Sequence, residues 1–226
     1  MPIRLCVFDA YGTLFDVAAA ARSAAKEQGS EGWAARWPAL SALWRRKQLE
    51  YTWLRAVAGA HVDFWQVTQD ALDWAMEAEG LTDPALRQRL LDLYHELAAF
   101  PEVPSVLAAL KERGLKLAIL SNGAPDMLEA AANSARVAAQ FDAILSVEAV
   151  GVFKPHCSVY GMVGTRFGLP PAEVAFVSSN CWDACAAAAF GFHAIWVNRE
   201  GAPLDRLHGK PAKIVSDLGG LPALLT

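Results

Sequence analysis

The chain is poor in charge and has no concentrated basic surface. Only 19% of its 226 residues are charged, the net charge is −4 and the pI is near 5.7. Phosphate backbones are bound by clustered cations. The one basic run, Arg45-Arg46-Lys47, is short and flanked by apolar residues, so nucleic acid is not an expected partner. Apolar stretches are short as well. None reaches the roughly 20 residues that cross a bilayer, and no membrane partner is expected. The opening MPIRLCVFDAYG lacks an apolar segment followed by a small-residue cleavage site and does not read as a signal peptide. Cys6, Cys157, Cys181 and Cys185 form no CxxC pair and no zinc spacing. They are expected as buried, reduced thiols, which points to a cytoplasmic setting. GxSxG elbows, Walker loops and dinucleotide fingerprints are missing. None of the five histidines (His61, His95, His156, His193, His208) fits a catalytic pairing.

What is present is apolar: hydrophobic residues make up 54% of the chain, enough for a sizeable core. Ile3 to Phe8 is a short apolar run that ends on Asp9, with Tyr11-Gly12-Thr13 as a turn. It reads as a buried strand presenting a carboxylate at its end. Lys116 to Leu120 followed by Ser121-Asn122-Gly123 repeats the design, as do Val174 to Val177 before Ser178-Ser179-Asn180 and Ala194 to Val197 before Asn198-Arg199. Helices are expected over Pro104–Arg113, Ser158–Phe167 and Asp183–Phe190, each stopped by a glycine. Strands alternating with helices predict an α/β fold, a Rossmann-like and mostly parallel sheet with helices on both faces. Ligands of such sheets bind beyond the carboxyl ends of the strands, where the polar triplets fall.

Residues 16–99 break the alternation and read as helix throughout. Leu86, Leu90, Leu93, Tyr94 and Leu97 form one stripe and Phe64, Thr68, Leu72 and Met76 another. Six of the eight tryptophans (Trp33, Trp37, Trp44, Trp53, Trp65, Trp74) lie here, most of them expected as packing. The expected organisation is an α/β core of residues 1–15 and 100–226 with a helical cap, 16–99, inserted after the first strand.

Asp9 is the leading candidate for chemistry, because backbone N–H groups of the turn behind it can hold an anionic substrate group beside a nucleophile. Local sequence leaves other readings open: a turn-capping role for Asp9, a solvated basic face for Arg45, a loop lysine for Lys154 and a helix N-cap for Asp183. Taken together, DAYGTLFD, LSNG, the Lys154-Pro155 pair and SSNCWD resemble the haloacid dehalogenase superfamily. The resemblance runs the length of the chain. LWRRKQLEYTWLR (43–55), KLAILSNG (116–123) and FVSSNCWD (176–183) are similar to the L-2-haloacid dehalogenase branch. The phosphatases of that superfamily carry a second aspartate two residues after the nucleophile and paired aspartates for Mg²⁺ at a later strand end. Tyr11, and Ser178 with Ser179, stand at those positions. A hard cation would have lost most of its ligands, so no metal and no cofactor are expected.

The resemblance implies hydrolysis of short 2-haloalkanoic acids through an aspartyl ester, with inversion at C2, L-2-haloacid giving D-2-hydroxy acid plus halide. It implies that Asp9 is the nucleophile and that Arg45 and Asn122 receive the halide. Ser121 and turn N–H groups would bind the substrate carboxylate. Lys154 would keep Asp9 ionised, and Asp183 would orient Lys154 and activate water. Thr13, Tyr160, Ser178 and Asn180 match supporting positions, and Tyr11, Leu49, Phe64 and Trp182 match the apolar lining. Arg46 stands where relatives commonly carry a neutral amide. Homodimers are the habit of the branch, so a homodimer is expected. A Mg²⁺-dependent phosphatase and a non-catalytic binding module remain as alternatives.

Overall fold

The apolar run that opens the chain becomes the centre of the sheet. In the computed structural model, which describes residues 2–225, β1 (Leu5–Phe8) has all four side chains buried. Strands covered on both faces read as continuous hydrophobic runs rather than alternating ones. β2 (Lys116–Ser121) pairs with β1 on one side and β4 (Val174–Ser178) on the other, both parallel. β3 (Ala143–Ser146) extends the sheet beyond β2, and β5 (His193–Val197) and β6 (Lys213–Val215) extend it beyond β4. The order is β3-β2-β1-β4-β5-β6, and every pairing is parallel. Strand order reverses between β1 and β4, and a reversal of this kind opens a crevice at the carboxyl edge.

The sheet is therefore all-parallel rather than mostly parallel, and two of its strands are not visible in the sequence. β3 contributes Ala-Ile-Leu with only half-buried side chains, and β6 is three residues with Lys213 and Ile214 exposed. Neither run is long or apolar enough to stand out. The helices α5 (Val103–Glu112), α6 (Pro125–Ser134), α7 (Cys157–Phe167) and α8 (Cys181–Phe190) connect the strands, and a short α9 (Leu221–Leu224) follows β6. α7 starts one residue earlier than expected, capped by His156, whose Nδ1 accepts from the Ser158 N–H at 3.3 Å. α8 starts two residues earlier, so Asp183 stands inside its first turn and the N-cap position falls to Asn180.

Residues 16–99 are helical in four pieces, not throughout. α1 (Ala19–Ala24), α2 (Trp37–Ala58), α3 (Phe64–Ala78) and α4 (Pro84–His95) are separated by turns, and pack on one another, α2 chiefly against α3 and α1 against α4. α2 ends at Gly59, whose φ of 64° closes the helix in the left-handed region. α3 begins at Asp63, whose carboxylate accepts from the Gln66 N–H, and α4 at Asp83 and Pro84. The predicted stripes hold: Phe64, Thr68, Leu72 and Met76 are buried, as are Leu86, Leu90, Leu93 and Tyr94, with Leu97 buried just past the helix end. Most of the tryptophans pack as expected, Trp37 and Trp65 half-buried against the core. Only Trp33 and Trp44 of the six are buried. Where the chain leaves for these helices and returns, Phe15 and Ala99 pair in antiparallel fashion, and Asp16 and Phe100 donate N–H groups to Ala98 O and Leu14 O. No helix among the described residues is long and apolar enough to cross a membrane.

Candidate active site

Register brings the candidate residues to one edge. Phe8 pairs with Ile119 and Val177, so Asp9 emerges level with Leu120 and Ser178, and its N–H donates to Val177 O at 2.9 Å. Ser121 and Asn122 leave β2 beside it. The chain turns sharply after Asp9. Gly12, at φ 85°, donates to Phe15 O, and Thr13 donates to Ala10 O. Those two turn amides are committed to the turn itself, whereas the Ala10 and Tyr11 N–H groups make no backbone hydrogen bond among the described residues.

Asp9 is 6% exposed and held at both oxygens. Lys154 Nζ lies 3.2 Å from Oδ1, while Thr13 Oγ1 and Asn180 Nδ2 donate to Oδ2 at 3.0 and 2.9 Å. Lys154 is 1% exposed and also meets Asp183 Oδ2 at 2.9 Å; Tyr160 donates its hydroxyl to Asp183 Oδ1 at 2.7 Å. One cation thus lies between two carboxylates. Burial alone would lower the Lys154 ammonium, but Asp183 and Asp9 outweigh it and hold its pKa above the usual lysine value. Burial, reinforced by the negative charge of Asp9, pushes the Asp183 carboxyl up, against the pull of Lys154 and Tyr160. Burial likewise raises the Tyr11 and Tyr160 phenols, which stay protonated.

A narrow cavity opens at Asp9. It is lined by Asp9, Tyr11, Arg45, Leu49, Phe64, Ser121, Asn122, Lys154, Asn180 and Trp182, all of them residues singled out in the sequence. Of the other four candidates, Thr13, Ser178, Tyr160 and Asp183 are buried behind this wall. Thr13 braces Asp9 and the Ser179 N–H, Ser178 Oγ accepts from the Asn180 N–H at 3.1 Å, and Tyr160 and Asp183 fix Lys154. Asn122 gives its Oδ1 to the Lys154 N–H at 2.9 Å, which leaves its NH₂ end as the donor for a ligand. Ser121 Oγ accepts from the Gly123 N–H, and Gly123 is required by close approach, since a Cβ there would lie 2.7 Å from the Tyr11 ring. The lining has two cations, Arg45 and Lys154, and one carboxylate.

α2 delivers Arg45 and Leu49 to this cavity from the opposite side. Arg45 reaches Tyr11 O at 3.4 Å and Asn180 Oδ1 at 3.3 Å, and its shortest contact is Gln48 Oε1 at 2.8 Å. Arg46 is exposed and lines nothing here. Phe64 stacks on Tyr11 at 5.8 Å between ring centroids, and Trp53 meets Trp182 edge-on at 5.4 Å. Beyond Arg45, Leu49, Asn180 and Trp182 lies a wider cleft, floored by Phe100, Trp196 and Arg199.

Sequence reasoning missed several residues around this wall. Gln48 could have been found from its i, i+3 spacing to Arg45 on one helix. Ser179, whose Oγ lies 3.1 Å from Thr13 Oγ1 and whose backbone carbonyl accepts from Trp196 Nε1, and Tyr94, which packs on Tyr11, stood out in the sequence only as a strand-end serine and as part of a helical stripe. His61 contacts Glu148 at 2.8 Å, and Glu148 also accepts from the Phe64 N–H; it anchors the start of α3 but does not line the cavity. Cys6 and Cys185 are buried as expected, whereas Cys181 is half-buried and Cys157 exposed.

Among the described residues no three His, Cys, Asp or Glu side chains gather as a metal site. The donor set on Asp9 is an ammonium, one hydroxyl and an amide, not a ring of carboxylates.

The chain as a whole is similar to known proteins. The chain is 44% identical to (S)-2-haloacid dehalogenase 1 of Pseudomonas sp. strain CBS-3 over 99% of this chain and 97% of that one. It is 43% identical to (S)-2-haloacid dehalogenase 4A of Burkholderia cepacia, over 89% and 85%. Its fold superimposes with a TM-score of 0.88 on the solved L-2-haloacid dehalogenase of Xanthobacter autotrophicus with chloropropionic acid covalently bound, at 38% identity and 99% and 98% coverage. A profile of haloacid dehalogenase-like hydrolases matches residues 3–191, from the strand that presents Asp9 to the helix that holds Asp183, and the chain belongs to that family.

Proposed function

We propose that the protein hydrolyses short 2-haloalkanoic acids, converting the L enantiomer to the D-2-hydroxy acid and halide. One observation carries this reading: Asp9 is the single carboxylate of a narrow cavity whose other charges are the cations Arg45 and Lys154. An anionic substrate is attracted there, and an anionic leaving group is stabilised there. Relatives named (S)-2-haloacid dehalogenases at 41–44% identity, and one with chloropropionic acid covalently bound, support it.

Asp9 Oδ1 accepts one hydrogen bond and Oδ2 two, so Oδ1 keeps the freer lone pairs. It attacks C2, the carbon–halogen bond breaks, and the electron pair leaves with the halide toward Arg45 and the Asn122 NH₂. Ser121 and the Ala10 and Tyr11 amides hold the substrate carboxylate. Tyr11, Leu49, Phe64 and Trp182 exclude water, which strengthens these charge interactions. Water then attacks Cγ of the Asp9 ester and gives up its proton to Asp183, whose raised pKa suits a base. Lys154 offsets the negative charge of that step; the Cγ–Oδ1 bond then breaks, the proton held by Asp183 passes to the departing alkoxide, and the Asp9 carboxyl loses water's second proton to solvent, so the alcohol oxygen of the product is the former Oδ1 of Asp9. A single displacement at C2 inverts it.

No metal is required in this scheme, since the Lys154 ammonium supplies the positive charge beside Asp9. We assign residues 1–15 and 100–226 to a core and 16–99 to a cap, on the strength of the paired crossing at Phe15 and Ala99. We further propose a cytoplasmic protein, with its cysteines free, and a homodimer. Halide release from L- and D-2-chloropropionate in the presence of EDTA tests the reading. Release from the L enantiomer is expected, and release from neither overturns it.

A further inference from the structure

We infer that Gln48 is a positioning residue that aims Arg45 at the departing halide; the inference rests on the reading of Arg45 given above. Gln48 follows Arg45 by three residues on α2 and is 1% exposed. Its Oε1 accepts from Arg45 Nη1 at 2.8 Å. Its Nε2 donates to Thr68 Oγ1 at 2.8 Å, and the Tyr94 hydroxyl lies 3.0 Å from Nε2 and 3.3 Å from Oε1. Thr68 Oγ1 in turn donates to Phe64 O at 2.7 Å. One amide therefore ties α2 to α3 and α4 and ends on the guanidinium.

The direction of each proton explains why this residue is an amide. Arg45 can only donate, so the group facing it must accept. The Thr68 proton is committed to Phe64 O, so the group facing Thr68 must donate. A carboxylate meets the first demand and fails the second; an ammonium does the reverse. A carboxylate would also neutralise the charge that a halide needs. Packing alone does not call for a buried polar side chain, whose desolvation is a cost unless every bond is made. Arg45 makes no ion pair with a carboxylate among the described residues. Its remaining contacts, at 3.3 and 3.4 Å, are long. Gln48 thus holds the guanidinium by one edge, with its charge intact.

The step affected is the first one, in which the Asp9–C2 bond forms as the carbon–halogen bond breaks. Hydrolysis of the ester takes place after the halide has been taken up and does not draw on Arg45. Single-turnover measurements on L-2-chloropropionate separate the two, with halide followed directly and the ester followed as mass added to the intact protein. Gln48→Met keeps the volume and removes the acceptor. It is expected to slow halide release by roughly tenfold to a hundredfold and to leave ester decay within about twofold of wild type. In an Arg45→Ala background the same change is expected to add nothing, because the group it positions is gone. Gln48→Glu, a second variant in case Gln48→Met does not fold, keeps the acceptor but neutralises Arg45, and is expected to slow the same step alone. Equal slowing of both steps, or a full effect of Gln48→Met without Arg45, overturns the inference. So does normal halide release by Gln48→Met when Arg45→Ala is slow. If Arg45→Ala itself releases halide at the wild-type rate, the assignment of Arg45 fails and the inference falls with it.

Discussion

Lys154 bears more of the site than its place in a loop suggests. It is buried against Asp9 and Asp183, and removing one partner of such a cluster leaves unpaired charge in a poorly solvated place. Lys154→Met is expected to destabilise the fold by about 3–5 kcal/mol, read as a loss of thermal midpoint, besides slowing the ester step. The pKa of this lysine is raised above the ordinary 10.5. The stability its ammonium contributes is therefore complete below about pH 10.5 and is lost only as pH climbs through the still higher folded value. Activity should show no alkaline decline from Lys154 below that pH, checked by a pH profile of halide release. A decline centred near pH 8 would contradict the assignment. At this scale the sequence was most legible where a polar residue interrupts an apolar run: Asp9, Ser121, Asn122 and Asn180 all lie at or just beyond strand ends. The site contacts of Tyr94 and Ser179 were not legible, because their partners are distant along the chain.

The elements that carry these residues are helices and strands whose ends are chemically marked. α3 starts where Asp63 accepts from the Gln66 N–H at 2.8 Å and Glu148 accepts from the Phe64 N–H at 3.2 Å. Asp63→Ala is expected to cost about 1 kcal/mol, seen as a modest drop in denaturation midpoint with little change in halide release. A loss of activity without a loss of stability would show that the cap of this helix acts on the site and not only on the fold. Helix stops were readable from glycines such as Gly168 and Gly191, both left-handed in the structure. Boundaries inside residues 16–99 carry the same marks, left-handed Gly29, Gly59 and Gly80 and the N-caps Asp63 and Asp83, which the expectation of continuous helix passed over. The exposed strand β6 and the half-buried β3 gave no apolar signal for the same reason: at an edge, only part of a strand has to be hydrophobic.

For the whole molecule, the alternation of strands and helices disclosed the fold class, while strand order came only from the pairing itself. The order places the reversal between β1 and β4, and so explains why residues far apart in sequence converge on Asp9. The cysteines were over-assigned to the interior, because residue type reports average burial and not a particular surface. One such surface is on α2, where Trp53, Leu54 and Val57 are exposed, Val57 at 90%. If the protein is a homodimer as proposed, this apolar face is the one a second copy would cover. Light scattering should then report a dimer that Leu54→Asp with Val57→Asp converts to monomer. A monomeric wild-type protein would rule the dimer out.

The central claim is that the Asp9 carboxylate attacks carbon and is regenerated by water. A single turnover in ¹⁸O-enriched water, with enzyme in excess over L-2-chloropropionate, tests it by mass spectrometry of both the product and the peptide containing Asp9. The account predicts label in the Asp9 side chain and an unlabelled hydroxyl in the product. Label in the product hydroxyl and none in Asp9 would contradict it.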